Sequence, residues 1–512
     1  ASGEAYVVFG KASGHSASLD LSSLNGTTGF VLNGESSTNY TGWEVNTAGD
    51  INNDGYDDVL VSGWNDGAGS SYVVFGKASG YSSSLNLSSL NGTTGFSITG
   101  IDTHDVAGYS LNTAGDVNGD GYDDIIIGAH KGDPNGGDSG EAYVVFGKAS
   151  GYSSNLNLSS LNGSNGYVLN GIDGMDYTGH SVDTAGDING DGYADIIIGA
   201  IKADPNGDNS GESYVVFGKA SGYSSSLNLS SLNGTTGFVI NGVAAGDESG
   251  DSVSSAGDIN NDGYADLIIG APGHDSNTGE AYVVFGKASG HSASLNLSSL
   301  NGTTGFTLNG ASSEIYAGIS VDSAGDVNGD GYADIIIGAG WNEEGSIGST
   351  DGSGTSYVVF GKASGYSANF DLATLASGNG SAGFAINGID NSDNSGYSVS
   401  TAGDVNGDGY TDILVGAPFA DPNSRAASGE SYLIFGEATS IANANIAASG
   451  VPTISGTTTQ GQTLTVNIGG VSDADGINAG TNAYQWLRGG AEIGGATSST
   501  YALVQADVGT AI

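Results

Sequence analysis

Asp116-Val117-Asn118-Gly119-Asp120-Gly121-Tyr122-Asp123-Asp124, running straight into Ile125-Ile126-Ile127-Gly128, is the stretch on which the reading of the fold turns. Side-chain oxygens stand at positions 1, 3, 5 and 9, and glycine at position 6 permits a sharp curl. The aliphatic run behind it suits a strand buried on both faces. The pattern Asp-x-Asn-x-Asp-Gly-Tyr-x-Asp occurs six times, from Asp50 to Asp58, Asp116 to Asp124, Asp187 to Asp195, Asp258 to Asp266, Asp326 to Asp334 and Asp404 to Asp412. An Asx-rich turn needs no such constancy of spacing, so the set is read as metal loops.

Around each loop lies a repeat. Tyr6-Val7-Val8-Phe9-Gly10 returns with its phenylalanine at Phe75, Phe146, Phe217, Phe285, Phe360 and Phe435, at spacings of 66, 71, 71, 68, 75 and 75 residues. A Gly-Phe or Gly-Tyr strand, as at Gly95-Phe96-Ser97-Ile98-Thr99, always begins 20 residues before the first loop aspartate, counted from its aromatic. Length varies instead between the Ile-rich strand and the Phe-Gly strand, where Trp64 to Ser71 is short and Gly340 to Ser356 is long. Four short strands per unit is the content of a propeller blade, and the class is all-β. Leu90-Asn91-Gly92-Thr93-Thr94-Gly95 carries an Asn-Gly turn signal. Seven Phe-Gly strands against six complete units make Gly3 to Gly10 the last strand of a blade whose other strands are absent. A seven-bladed β-propeller with its first blade incomplete fits that count, as does a six-bladed ring with a spare strand.

Calcium is the ion this donor set favours. The candidate ligands are Asp50, Asn52, Asp54, Tyr56 and Asp58; Asp116, Asn118, Asp120, Tyr122 and Asp124; Asp187, Asn189, Asp191, Tyr193 and Asp195; Asp258, Asn260, Asp262, Tyr264 and Asp266; Asp326, Asn328, Asp330, Tyr332 and Asp334; and Asp404, Asn406, Asp408, Tyr410 and Asp412. Each tyrosine contributes its main-chain carbonyl. A helix-loop-helix calcium hand would need glutamate at position 12, but Val61, Ile127, Ile198, Ile269, Ile337 and Val415 stand there, inside a strand. All-oxygen donors disfavour zinc, and crowded carboxylates favour Ca²⁺ over the more hydrated Mg²⁺. About six ions are expected.

Composition agrees with that partner. Fifty-six acidic residues against 10 basic ones give a net charge of −46, which repels nucleic acid and anionic lipid. There is no cysteine, and no apolar run approaches the length that spans a bilayer. Loops of this chemistry in extracellular modules bind calcium at about 10⁻⁴ to 10⁻³ M, which points to an exported, cell-surface or secreted protein. Other acidic groups, Asp102 with Asp105, Asp173 with Asp176, and Asp133 with Asp138 and Glu141, show no repeated ligand spacing and are expected to be solvated surface.

The Phe-Gly strands, Gly270-Ala271-Pro272, Gly416-Ala417-Pro418 and the acidic loops together resemble the FG-GAP repeat of integrin alpha propellers and their bacterial relatives, over residues 1–440. The resemblance implies seven blades, calcium in blade loops on one face, and a role in adhesion or ligand recognition. Six near-identical loops look more like a bacterial surface protein than an animal integrin. The proline of Gly-Ala-Pro is replaced at His130, Ile201 and Gly340, and Ser62-Gly63-Trp64 stands in the first unit. The chain contains no inserted von Willebrand-type domain and no Asp-x-Ser-x-Ser motif.

Residues 441–450 form an Ala-rich linker, and 451–512, with short strands around Trp486, look like a bacterial immunoglobulin-like β-sandwich cut before its final strands. Everything conspicuous in the chain is repeated, whereas catalysis needs one unique constellation. The histidines share no spacing with a nucleophile, so no enzyme activity is expected. A protein or glycan partner, bound through the variable loops with Trp64 and Trp341, is one expectation. A calcium-hardened segment of a stalk, matrix or filament, with self-association, is the other.

Overall fold

The computed structural model describes residues 2–35, 39–63, 67–312, 315–340, 352–378, 380–422, 425, 427–437, 453–455, 457–467, 486–489, 491–494 and 496–507. Two compact units result, Ala1–Glu437 and Ala438–Ile512. Trp64, Trp341 and the 441–450 linker lie outside the described residues.

The first unit is a succession of β-sheets. Sheet II shows the plan: Thr41–Gly49, Asp58–Gly63, Ser70–Val74 and Gly95–Thr99 pair in antiparallel order. Sheets III, IV and V repeat it from Ser110–Gly115 to Gly166–Asn170, Thr178–Gly186 to Gly237–Asn241, and Val253–Gly257 to Gly305–Asn309. Sheet VI runs from Ser320–Gly325 to Gly383–Asn387, and sheet VII has Ser398–Gly403, Asp412–Ala417 and Glu430–Ile434. Sheet I holds Glu4–Val8 and Gly29–Asn33.

Two expectations change in detail. The Gly-Phe strand is the fourth of its sheet, not the first, so each sheet starts at the segment that leads into the acidic loop. Glu4–Val8 is consequently not the last strand of its sheet, because Gly29–Asn33 pairs outside it. A fifth strand was not expected at all: Asn155–Asn157 leaves its own unit and pairs parallel with Gly95–Thr99 of the preceding sheet. Ser84–Asn86, Ser226–Asn228, Ser294–Asn296 and Asn369–Asp371 do the same, which ties each of sheets II to VI to the one before.

The core lies between consecutive sheets. Second strands such as Asp124–Ala129 are buried along their whole length, as the Ile-Ile-Ile run requires. Ile126, Val144 and Tyr167 of sheet III pack with Ile196, Ile198 and Tyr214 of sheet IV, and equivalent clusters fill the other gaps. Each such buried side chain stabilises by about 1.5–3 kcal/mol. Aromatic triads close the seams: Phe75 and Phe96 meet Tyr152 of the next sheet, with Phe96 stacked at 4.8 Å between ring centres. The same contact joins sheet VII to sheet I, where His15 stands 4.8 Å from Phe435. Lys11 N donates to Val405 O there at 2.9 Å, as Lys148 N does to Ile51 O at 3.0 Å and Lys219 N to Val117 O at 2.9 Å.

In the second unit Thr453–Ser455, Thr463–Asn467 and Thr500–Ala502 form one sheet, and Leu487–Arg488 pairs with Ala491–Glu492. Trp486, Leu464 and Leu503 are its buried centre, with Trp486 Nε1 donating to Ser498 O at 2.8 Å. No described helix is long and apolar enough to cross a membrane.

Candidate metal loops

Each acidic loop joins the first and second strands of one sheet, and local chemistry shapes both of its ends. The first strand finishes in a bulge at glycine, Gly115 with φ +67°, and its counterparts from Gly49 to Gly403 have φ between +64° and +69°. Gly115 N donates to Thr113 Oγ1 at 3.1 Å, which explains the Thr-Ala-Gly or Ser-Ala-Gly that precedes every loop. The bulge turns the chain so that Asp116 opens the loop.

Asp116 is then wrapped by the curl it starts. Its Oδ1 accepts from Gly119 N at 2.7 Å and Asp120 N at 3.1 Å, and its Oδ2 from Gly121 N at 2.8 Å. Asp187, Asp326 and Asp404 are held in the same way. Those amides hold the Asp404 carboxyl below its usual range. Asn118 Oδ1 accepts from Asp120 N at 2.9 Å, and Asp120 Oδ1 from Tyr122 N at 3.1 Å.

The ninth residue is different in kind. Asp124 is fully buried, with Oδ1 accepting from Gly147 N at 2.8 Å and Oδ2 from Val117 N at 3.1 Å. Asp195, Asp266, Asp334 and Asp412 repeat both bonds, while in the first loop Asp58 receives Gly76 N and, at 3.3 Å, Asn52 Nδ2. Burial pushes Asp124, Asp195 and Asp266 up to about 8, and Asp58 and Asp334 to about 7, against two amides that pull the other way. The carboxylates at positions 1 and 5 of the same loop add to that rise.

The donor of this bond is the glycine of the Phe-Gly pair, a role the sequence reading did not assign. A Cβ on Gly147 would stand 2.3 Å from Asp123 O and 2.7 Å from Ile51 O, so no larger residue fits. The constant partnership of Phe-Gly with Asp-9 was the available signal.

The loops thus carry an all-oxygen donor set, and Asn260 Oδ1 at position 3 is buried without a partner, which suits a cation. Among the described residues, no three acidic, histidine or cysteine side chains are already drawn together around one point. The first aspartates are turned toward backbone amides instead.

Of the acidic groups read as solvated surface, Asp102, Asp133 and Asp173 are exposed as expected, but three others need correction. Asp105, Asp176 and Glu141 are buried at 5 %, 8 % and 8 % exposure, at the end of the first strand away from the loop. Four sheets carry the combination of an aspartate before the first strand and a glutamate opening the third: Asp105 with Glu141, Asp176 with Glu212, Asp247 with Glu280, and Asp393 with Glu430. Sheet II has Asn39 and Ser70, in direct contact at 3.3 Å, and sheet VI has Ile315 and Thr355. His130 and His180, scattered in sequence, meet beside Tyr109 with ring centres 5.7 Å apart. Burial drives their pKa values down to about 3 and about 4.

Against known proteins, the family model described as FG-GAP repeat matches residues 107–145, 178–216, 249–284, 317–359 and 395–434. Each match covers the first three strands of one sheet from III to VII, with its acidic loop. Integrin alpha-V of Gallus gallus is 30% identical over 242 residues, spanning 45% of this chain and 20% of that protein. Integrin alpha-5 of Xenopus laevis is 28% identical over 238 residues, 45% of this chain and 20% of the relative. Integrin alpha pat-2 of Caenorhabditis elegans is 33% identical over 254 residues, 46% and 18%. The chain spans about a fifth of the length of these curated relatives. Five FG-GAP repeats in register with five sheets, together with these relatives, support an integrin-alpha-like FG-GAP propeller.

Proposed function

We propose that the chain is a calcium-holding propeller with seven blade positions, serving as an extracellular adhesion or ligand-recognition module. The observation that carries the reading is the sixfold loop, in which three carboxylates, an amide oxygen and a main-chain carbonyl are set by the same bulge, curl and Phe-Gly amide. Asp50, Asn52, Asp54, Asp58 and the Tyr56 carbonyl would hold one ion, and the equivalent residues of the other five loops the rest. Calcium bound there supplies the positive charge that lets the buried position-9 aspartate ionise beside two neighbouring carboxylates. The chain's own part is to fix those oxygens at the end of a rigid strand.

Seven positions are favoured over six by the contacts of sheet I. It takes the Lys-to-carbonyl bond and the aromatic contact from sheet VII on one side, and the Ser84–Asn86 strand from sheet II on the other. These contacts support a blade's place for it over a spare strand. The second unit, centred on Trp486, is read as an immunoglobulin-like module of a large surface or secreted protein. Relatives named as integrin alpha chains support recognition as the role. The partner is then a protein or a glycan.

Dialysis against a strong chelator followed by differential scanning calorimetry, with isothermal titration of Ca²⁺ back into the chain, tests the site. Expected are uptake of about six ions and a large rise in Tm, since each filled site contributes about 2.7 kcal/mol at a hundredfold excess over its Kd. No uptake and an unchanged Tm would remove the calcium reading. Screening the calcium-loaded chain on a glycan array and in pull-downs with extracellular proteins tests recognition. Silence together with concentration-dependent self-association would put a structural stalk or matrix role in its place.

A further inference from the structure

The loops touch one another. Ala194, at position 8 of its loop, donates its N–H to the main-chain oxygen of Asp116, position 1 of the preceding loop, at 3.1 Å. Ala265 does so to Asp187 O at 3.1 Å, Ala333 to Asp258 O at 3.3 Å and Thr411 to Asp326 O at 3.1 Å. Between the first two loops the Asp123 carboxylate takes over, accepting from Asp50 N at 2.8 Å.

A second link reinforces the first at every one of these five seams. Where position 4 is glycine, the position-7 tyrosine of the next loop lies over it: Tyr193 on Gly119, Tyr264 on Gly190 and Tyr410 on Gly329, each ring within 2.5 Å of where a Cβ would be. Where position 4 is asparagine, its amide donates across the seam, Asn53 Nδ2 to Gly121 O at 2.8 Å and Asn261 Nδ2 to Gly331 O at 3.4 Å. A third link holds position 2: Tyr152, Tyr223 and Tyr366 donate their hydroxyls to Ile51 O, Val117 O and Ile259 O at 2.7–2.8 Å.

One detail turns contact into coupling. The N–H of Ala194 and the carbonyl of Tyr193 belong to the same planar peptide unit. That carbonyl is the main-chain donor proposed for its own loop's ion, while the N–H holds the residue that supplies the first ligand of the loop before. A cation on the carbonyl polarises the peptide and strengthens its N–H as a donor, and it also fixes the plane's orientation. Ordering one loop thus orders the position-1 aspartate of its neighbour.

We infer that the six loops take up calcium cooperatively, as one belt and not as six separate sites, with Tyr152, Tyr223 and Tyr366 as positioning residues. This rests on the reading of the loops as calcium sites. Coupling of ordinary size changes affinity about 5- to 150-fold between linked sites.

The test is equilibrium calcium titration of the full chain, counting ions and measuring the Hill coefficient. The native chain is expected to bind with a coefficient well above 1. Asp187→Asn with Asp191→Asn disables a loop in the middle of the belt and should move the midpoint of the remaining ions about fivefold or more to higher calcium. The same change at Asp404 and Asp408, at the belt's end, should move it less. Combined Tyr152→Phe, Tyr223→Phe and Tyr366→Phe should keep the ion number and lower the Hill coefficient, an outcome that a purely structural loss of stability does not give. If the triple variant does not fold, the two loop variants still decide. A coefficient of 1, with midpoints unmoved by loss of the middle loop, would overturn the coupling and leave the calcium sites standing. Absence of any calcium uptake would overturn both.

Discussion

In sheets III, IV, V and VII the first strand has acidic residues near both extremities, and the two ends meet that electrostatic problem differently. At one end the loops are near-copies, with Asp-9 buried and met by two amides in five of six cases. At the other end the sheets diverge: acid pairs in III, IV, V and VII, Asn39 with Ser70 in II, Ile315 with Thr355 in VI. The two partners there change together. Constant spacing suits the common ion proposed for the loop end, whereas at the other end each acid finds its own local donor, Asp105 from Asp102 N and Glu141 from the Tyr143 hydroxyl.

The loop end breaks most easily at its glycine. Gly147→Ala places a methyl carbon 2.3 Å from Asp123 O, where backbone must move and the Asp124 hydrogen bond is lost with it. A loss of about 3 kcal/mol or more is expected in chemical denaturation, with or without calcium. Alanine tolerated at that position without loss would mean that the Phe-Gly amide is not what sets the loop.

Asp195→Asn sharpens the comparison by separating burial from ion binding. Burial already favours the neutral acid at position 9, so after chelation the amide costs little beyond one of the two backbone bonds. In calcium at a hundred times its Kd the variant should lose about 2.7 kcal/mol more than it does without the ion. Equal losses in the two conditions would take Asp195 out of the ligand set.

The opposite end should respond to protons. Burial first, and Asp105, Asp102 and Asp133 second, push Glu141 up to about 7, against a hydrogen bond from Tyr143. A carboxyl raised in the folded state binds its proton more tightly there than in the unfolded chain. Its stabilising share is complete below the unfolded value near 4.3 and disappears as pH rises toward 7. Chelated protein should thus lose stability between pH 5 and pH 8, and Glu141→Gln should recover about 2 kcal/mol at pH 8 while changing little at pH 5. Denaturation curves of both proteins at the two pH values would measure it; parallel losses would show that Glu141 ionises freely.

How much of this could be read beforehand depends on whether a feature repeats locally. Strand runs, the acidic loops between them and the Asn-Gly turn lie within short windows, so the period of the Ile-Ile-Ile run and the spacing from Asp116 to Asp124 carried them. The fifth strand Asn155–Asn157 did not announce itself, because its pairing partner lies in the preceding sheet and three residues carry little pattern. The burial of Asp105 and Glu141 was equally hidden. They stand 36 positions apart, and only the topology that lays the loop before the first strand beside the start of the third brings them together.

Sheet V supplies the smallest but most pointed test, because there a cation has been built in. His274 Nδ1 stands 3.1 Å from Asp247 Oδ1 and its Nε2 3.2 Å from Glu280 Oε1. The corresponding places in sheets III and IV hold Gly132 and Ala203, too small to reach between the acids. The hydrogen bond to Asp247 raises the His274 pKa, and the charges of Glu280, Asp247 and Asp275 add to it against partial burial. An imidazole raised in the folded state stabilises fully below its unfolded value near 6.5 and ceases to do so as pH climbs through the folded value. With its side chain about a quarter exposed, the pair contributes about 1 kcal/mol. His274→Gln should therefore cost about that much at pH 6 and nothing at pH 9, the reverse of Glu141→Gln, which matters at high pH and not at low. If both variants shifted stability in the same pH range, His274 would not act as a charged partner of Asp247 and Glu280, and the difference between sheets III and V at this end would fail.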